Sequence, residues 1–231
     1  MIKVLKACLF DLDGVLVDTA KYHFLAWKRL ADELNIPFSI DDNEQLKGVS
    51  RMRSLEIILE LGKCSLSEGD KALLAAKKNT WYVDLLSQMN HSELLPGVLE
   101  LLDELKKHEI KIALGSASKN AMMILEKLGI TGYFDAIVDG HQVERAKPDP
   151  EVFLLGAEKL SIPPYDCIVF EDAVAGIQAA QNAKMLAIGV GSEKILKRAD
   201  YVVKDLRSLD YTFLKDFYFK HRKEASPTLL K

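Results

Sequence analysis

Lys3-Val4-Leu5-Lys6-Ala7-Cys8-Leu9-Phe10-Asp11-Leu12-Asp13-Gly14 opens the chain with a short apolar run that ends on two aspartates. Side chains alternate across a strand, so Asp11 and Asp13 share one side and Leu12 takes the other. Carboxylates at the end of a buried strand are costly unless a cation or a reaction uses them. Gly14 lets the chain turn tightly straight afterwards. The same four residues could merely stop a strand, so their meaning depends on what the rest of the chain supplies.

Downstream of Gly14 the pattern is helical for a long way. Tyr22, Leu25, Ala26, Leu30 and Leu34 follow helical spacing, and Leu55, Ile58 and Leu59 make a second apolar face with Gly62 as its stop. Ser65-Leu66-Ser67-Glu68 reads as a capping box that opens a helix running towards Met89. From Pro96-Gly97 onward, short apolar runs alternate with helical stretches: 110–114, 136–138, 167–170, 186–190 and 201–203. That alternation predicts a parallel sheet covered on both faces. The expected architecture is therefore α/β: a three-layer Rossmann-like core with a parallel sheet, plus an inserted small all-helical domain. Residues 1–16 and 93–231 would form the core and 17–92 the insertion, with 228–231 as tail.

The bulk properties bound the function. The chain has 231 residues, 48% hydrophobic and 28% charged, as in a soluble globular protein. A net charge of −3 gives no argument for nucleic acid or an anionic membrane. No apolar stretch approaches the length of a membrane span. Cys8, Cys64 and Cys167 have no metal-ligand spacing, and Cys8 and Cys167 sit in apolar runs. A reducing, cytoplasmic setting is expected.

Ligands of open α/β sheets bind beyond the carboxyl ends of the strands. Four predicted strands end or continue there in polar chemistry: Asp11 and Asp13; Gly115-Ser116-Ala117-Ser118; Lys147-Pro148 after the third; and Glu171-Asp172 after the fourth. Each has an ordinary alternative. The serines could cap a helix, Lys147 could be a surface lysine, and Glu171-Asp172 could favour a helix dipole. Together, at four different strand ends, they point elsewhere. Four neighbouring carboxylates would repel a phosphate dianion, and a hard cation such as Mg²⁺ removes that conflict. Lys147 adds positive charge and Ser116 a neutral donor. Such a site suits phosphoryl transfer, with Asp11 as nucleophile and Asp13 as the group that moves the proton.

In this order and spacing, Asp11-Leu12-Asp13-Gly14, Ser116, Lys147-Pro148 and Glu171-Asp172 resemble the four motifs of the haloacid dehalogenase superfamily of phosphotransferases. The likeness covers essentially the whole chain, and it identifies the helical insertion with that superfamily's small cap. A narrower likeness lies inside the insertion. Asp18-Thr19, His23, Trp27, the run 43–51 with Lys47, Gly48, Val49, Ser50 and Arg51, then Ser54 and Lys78-Asn79 resemble the β-phosphoglucomutase family. Ser116-Ala117-Ser118-Lys119-Asn120 continue it. The resemblance implies a monomer acting on a sugar phosphate with Mg²⁺ held by Asp11, Asp13 through its main-chain carbonyl, Glu171 and Asp172. It implies that His23 and Lys78 form part of a linkage coupling cap closure to Asp13, and that Thr19, Ser116 and Lys147 belong to the catalytic set. Trp27, Lys47, Gly48, Val49, Ser50, Arg51, Ser54, Ala117, Ser118 and Asn120 would line the substrate. The Arg51 fork is matched to a second phosphate, which a mutase needs and a phosphatase does not. A phosphatase with the same aspartate nucleophile is the alternative. Gly115 departs from the pattern, where alanine is expected, and so does the loop 139–143 with His141.

Overall fold

The structure, a computed structural model, describes residues 4–46 and 49–223. Lys47, Gly48 and the expected tail 228–231 lie outside the described residues. The first strand, β1 (Ala7–Phe10), starts later than the apolar run that announces it. Val4 is exposed, and pairing begins where the neighbouring strands offer partners: Ala7 lies opposite both Lys111 and Cys167. Four helices follow: α1 (Ala20–Glu33), α2 (Ile40–Glu44), α3 (Arg51–Leu61) and α4 (Glu68–Leu86). The capping residue of α4 is Ser67, which accepts from the Asp70 amide at 3.2 Å, so the cap sits two residues beyond the expected Ser65 and no capping box forms there among the described residues. Gly62 ends α3 with an ordinary φ of −81°, and the left-handed residue there is Lys63 at +51°.

After α5 (Val98–Lys107) come β2 (Lys111–Gly115), α6 (Ala121–Leu128) and β3 (Ala136–Val138). Then follow α7 (Glu151–Lys159), β4 (Cys167–Glu171), α8 (Val174–Asn182), β5 (Leu186–Val190), β6 (Tyr201–Val203) and α9 (Tyr211–Lys223). The strands form one parallel sheet in the order β3-β2-β1-β4-β5-β6. β1 is therefore central, and the chain reverses its lateral direction between β1 and β4. That reversal opens a crevice at the carboxyl ends of these two strands.

Alternation along the strands divides the core into two layers. Cys8, Phe10, Ile112, Leu114, Ile168 and Phe170 face one side with α5 and α6, and the Phe10 and Phe170 rings stack at 4.5 Å. Ala7, Leu9, Ala113, Cys167 and Val169 face the other with α7 and α8. Continuous apolar strands are what a sheet buried on both faces requires. The helices α1 to α4 enclose a further cluster of their own, with Trp27, Leu30, Phe38, Leu55 and Ile58. Tyr22, Ala26, Tyr82 and Leu86, on α1 and α4, pack instead with the core layer. Gly115 explains its own departure from the expected alanine: a Cβ there would lie 2.9 Å from the Phe153 ring. Among the described residues no helix is long and apolar enough to cross a membrane.

Candidate active site

The crevice collects the strand-end groups. Asp11 follows β1 directly and its amide donates to the Phe170 carbonyl at 3.0 Å, which continues the β1–β4 register by one residue. Asp11, Glu171 and Asp172 each offer a carboxylate oxygen, all within 4.8 Å of one another. Lys147 reaches in from the loop after β3. Its ammonium donates to Asp11 and, at 2.8 Å, to Glu171. Glu171 also accepts the Ala173 amide at 3.1 Å. Two glycines leave room for these carboxylates. A Cβ on Gly14, which has a φ of +76°, would lie 2.0 Å from the Asp172 carboxylate, and a Cβ on Gly176 would lie 2.0 Å from that of Glu171.

Burial lifts Glu171 to about 7, although the Lys147 charge opposes it. Asp172 is lifted to about 8 by burial, then by the charges of Asp11 and Glu171. Burial alone would depress the Lys147 ammonium, but Asp11 and Glu171 outweigh it and hold the lysine charged. Three acidic groups against one ammonium leave an excess of negative charge. A cluster of hard oxygen donors with that imbalance fits a hard divalent cation. The Asp13 carboxylate stands outside this group and accepts the Thr19 hydroxyl instead. Burial, then the Asp11 charge, push Asp13 up to about 7.

The turn after β2 lies beside the cluster. Ser116 is buried, and its oxygen accepts the Ser118 amide at 3.1 Å; the Ser118 oxygen in turn accepts the Asn120 amide at 3.2 Å. The two serines thus tie down their own turn rather than cap α6, whose first residue receives no side-chain cap. Ala117 and Lys119 are exposed. The Asn120 side chain donates to that of Asn79 on α4 at 3.1 Å, a direct bond between the sheet and the helical insertion.

From the insertion, Thr19, His23 and Lys78 converge on the Asp13 side. Lys78 is 2% exposed, and its nitrogen lies 2.9 Å from His23 Nδ1. Burial, then the Arg51 charge, lower Lys78 to about 7. Burial and Lys78 hold His23 well below its ordinary value, so its Nδ1 is suited to accept from Lys78. The Lys78 nitrogen sits over the Trp27 ring at 4.4 Å and the Tyr82 ring at 4.6 Å. Trp27 is buried in the insertion's own cluster. Arg51 opens α3, behind Ser50 as its cap, and has no ion-pair partner among the described residues. Val49 is partly exposed and Ser54 is buried, its amide donating to the Ser50 carbonyl at 2.9 Å.

Tyr82 was not legible as a site residue. It is fully buried, its ring stacks on His23 at 4.1 Å, and among the described residues its hydroxyl, which faces Thr19, makes no well-formed hydrogen bond. Burial, then the Asp13 charge, hold that hydroxyl protonated. Its position four residues after Lys78, on the same face of α4, is the signal that could have found it.

Comparison with known proteins agrees with this geometry. Residues 5–184 match the haloacid dehalogenase-like hydrolase family. A β-phosphoglucomutase of Bacillus subtilis is 45% identical over 96% of this chain and 100% of its own. A phosphorylated carbohydrates phosphatase of Thermotoga maritima is 35% identical over 78% of this chain and 82% of its own. The crystal structure of a β-phosphoglucomutase from Clostridium difficile superposes with a TM-score of 0.90 at 43% identity, covering 96% of this chain and all of that one. The chain belongs to the haloacid dehalogenase-like hydrolases and, within them, to the β-phosphoglucomutase family.

Proposed function

We propose that this enzyme interconverts β-D-glucose 1-phosphate and β-D-glucose 6-phosphate through a β-glucose 1,6-bisphosphate. The observation that carries the reading is Arg51. It places a guanidinium, unpaired among the described residues, on the helical insertion and close enough to Lys78 and His23 to lower both. A buried or half-buried fork without a carboxylate calls for an anion, and phosphate matches it in shape. Asp11 and Lys147 serve one phosphate, and Arg51 with Lys47, Gly48, Val49, Ser50 and Ser54 grips the other. Residues 17–92 act as a cap over the core formed by 1–16 and 93–231, and the enzyme works as a monomer in the cytoplasm.

In one half-reaction an Asp11 oxygen bonds to phosphorus and the bond to the sugar oxygen breaks, while Asp13 gives that oxygen a proton. In the other, Asp13 takes a proton from the opposite hydroxyl as its oxygen bonds to phosphorus, and the Asp11–phosphorus bond breaks. Lys147 and the Ser116 hydroxyl steady the phosphoryl oxygens. Asp11, Glu171, Asp172 and the Asp13 main-chain carbonyl would hold Mg²⁺, which supplies positive charge against the transferring group. Thr19 orients Asp13, and Trp27, Ala117, Ser118 and Asn120 line the sugar. Cap closure excludes water from the aspartyl phosphate.

A phosphatase would use the same core, and the Thermotoga relative bears that name. The two readings separate on one incubation with β-glucose 1-phosphate, Mg²⁺ and a trace of the 1,6-bisphosphate. The mutase yields glucose 6-phosphate with little free phosphate. Stoichiometric free phosphate would establish the phosphatase instead.

A further inference from the structure

Two linkers join the helical insertion to the sheet, and they touch. Val17 bridges Leu94, and the Leu95 amide donates to the Leu16 carbonyl at 2.9 Å. The second linker contains a single short turn, His91–Glu93, that holds both sides of this junction. On the core side, His91 Nδ1 lies 2.8 Å from the Leu128 carbonyl at the end of α6. On the insertion side, the Glu93 carboxylate accepts the Tyr22 hydroxyl at 2.6 and 2.7 Å and pairs with the Lys21 ammonium at 2.7 Å. Lys21 and Tyr22 form the first turn of α1.

That turn carries Thr19. The Tyr22 and His23 amides both donate to the Thr19 carbonyl at 3.0 Å, so Thr19 moves with them. Thr19 stands at the capping position of α1, yet its hydroxyl makes no capping bond; it is spent on Asp13. The Asp18 carboxylate accepts the Ala20 amide at 2.9 Å in its stead, but that bond lies within the turn, so fixing the turn in place needs a further restraint. Glu93 supplies one from outside the helix, with charge-assisted bonds in a site where its side chain is only 17% exposed.

We propose that Glu93 is a positioning residue for Asp13. Through Tyr22 and Lys21 it holds the first turn of α1 where Thr19 reaches the Asp13 carboxylate, and opening the insertion requires these bonds to part. Glu93 thereby sets how long the cleft stays closed while a phosphoryl group sits on Asp11. The inference rests on the reading of Asp13 as the proton-transfer group.

The test compares the wild-type chain with Glu93→Gln, Tyr22→Phe and the double variant. The assay uses β-glucose 1-phosphate, Mg²⁺ and trace bisphosphate, and both glucose 6-phosphate and free phosphate are measured. Glu93→Gln is expected to lower the mutase kcat/KM about tenfold and to raise the share of phosphoryl lost to water several-fold. Tyr22→Phe does the same more weakly, and the double variant is no worse than Glu93→Gln because the two share one contact. An unchanged partition to water in both single variants would overturn the inference, as would losses that merely follow the thermal midpoint. If Glu93→Gln does not fold, Tyr22→Phe alone decides. A wild-type chain that released only free phosphate would overturn the mutase reading by itself, and the Glu93–Tyr22 coupling would then be read on the phosphatase kcat.

Discussion

Lys147 lies between Asp11 and Glu171 with 8% of its side chain exposed. Removing one partner of a buried ion pair leaves the others uncompensated, at a cost of about 3–5 kcal/mol. Lys147→Met should therefore lower the unfolding free energy of the metal-free protein by about 3 kcal/mol, read from urea melts in chelator. Arg51 predicts the opposite balance. It is half-buried without an ion-pair partner among the described residues, so Arg51→Ala should leave stability nearly unchanged. Two lost charge-assisted bonds, about 1.5–3 kcal/mol each, should cut mutase kcat/KM by roughly 100-fold or more. Hydrolysis of a small aryl phosphate should fall less than tenfold. At this scale the sequence was most informative where chemistry and backbone position coincide. Asp11, Glu171 and Asp172 could be read because each closes a short apolar run, and Lys147 because the pair Lys147-Pro148 takes its place among the motifs the chain resembles. Tyr82 could not, because a tyrosine on an apolar helix face looks like packing until the fold brings His23 and Asp13 beside it.

The helix α4 carries Lys78 into a site lined by other titratable groups: a neutral His23 from α1, and the charges of Arg51 from α3 and Asp13 from the core. Burial and Arg51 outweigh Asp13 and bring Lys78 down to about 7. An unfolded lysine titrates near 10.4, so between about pH 7 and 10 the unfolded chain binds the extra proton. Stability then rises with pH across that window, by an amount of order a few kcal/mol from this group. Lys78→Met should flatten the rise and stabilise the protein at neutral pH, as measured by chemical unfolding at pH 7 and pH 9.5. The elements themselves were largely legible, since alternating apolar runs and helical spacing fix strand and helix. Their ends were less so. Ser67 rather than Ser65 caps α4; and β1 starts at Ala7 rather than Lys3 because neighbouring strands, not local sequence, decide where pairing begins.

For the whole molecule, the cluster of Asp11, Glu171 and Asp172 is a source of strain that a divalent cation would relieve. A ligand at about 100 times its Kd adds about 2.7 kcal/mol. For a chain of 231 residues that should raise Tm by roughly 5–10 °C on adding Mg²⁺, reversed by chelator. Asp172→Asn should abolish most of the shift. The sequence could suggest that strands one, two and four were neighbours, but not which linker contacts accompany them; Glu93 lies far in sequence from Tyr22 and carries no motif. The strand order has one more consequence. β1 leaves the ribosome ahead of both its sheet neighbours, which begin only at Lys111 and Cys167. The helices α1 to α4 and their apolar cluster are complete while β1 still has no partner in the sheet. Vectorial synthesis thus yields the insertion first and the nucleophile's surroundings last. Closing so distant a pairing is slow. A nascent chain halted before β4 should hold structured helices and an Asp11 with no Glu171 or Asp172 beside it, so catalytic competence arrives late, with the second half of the sheet.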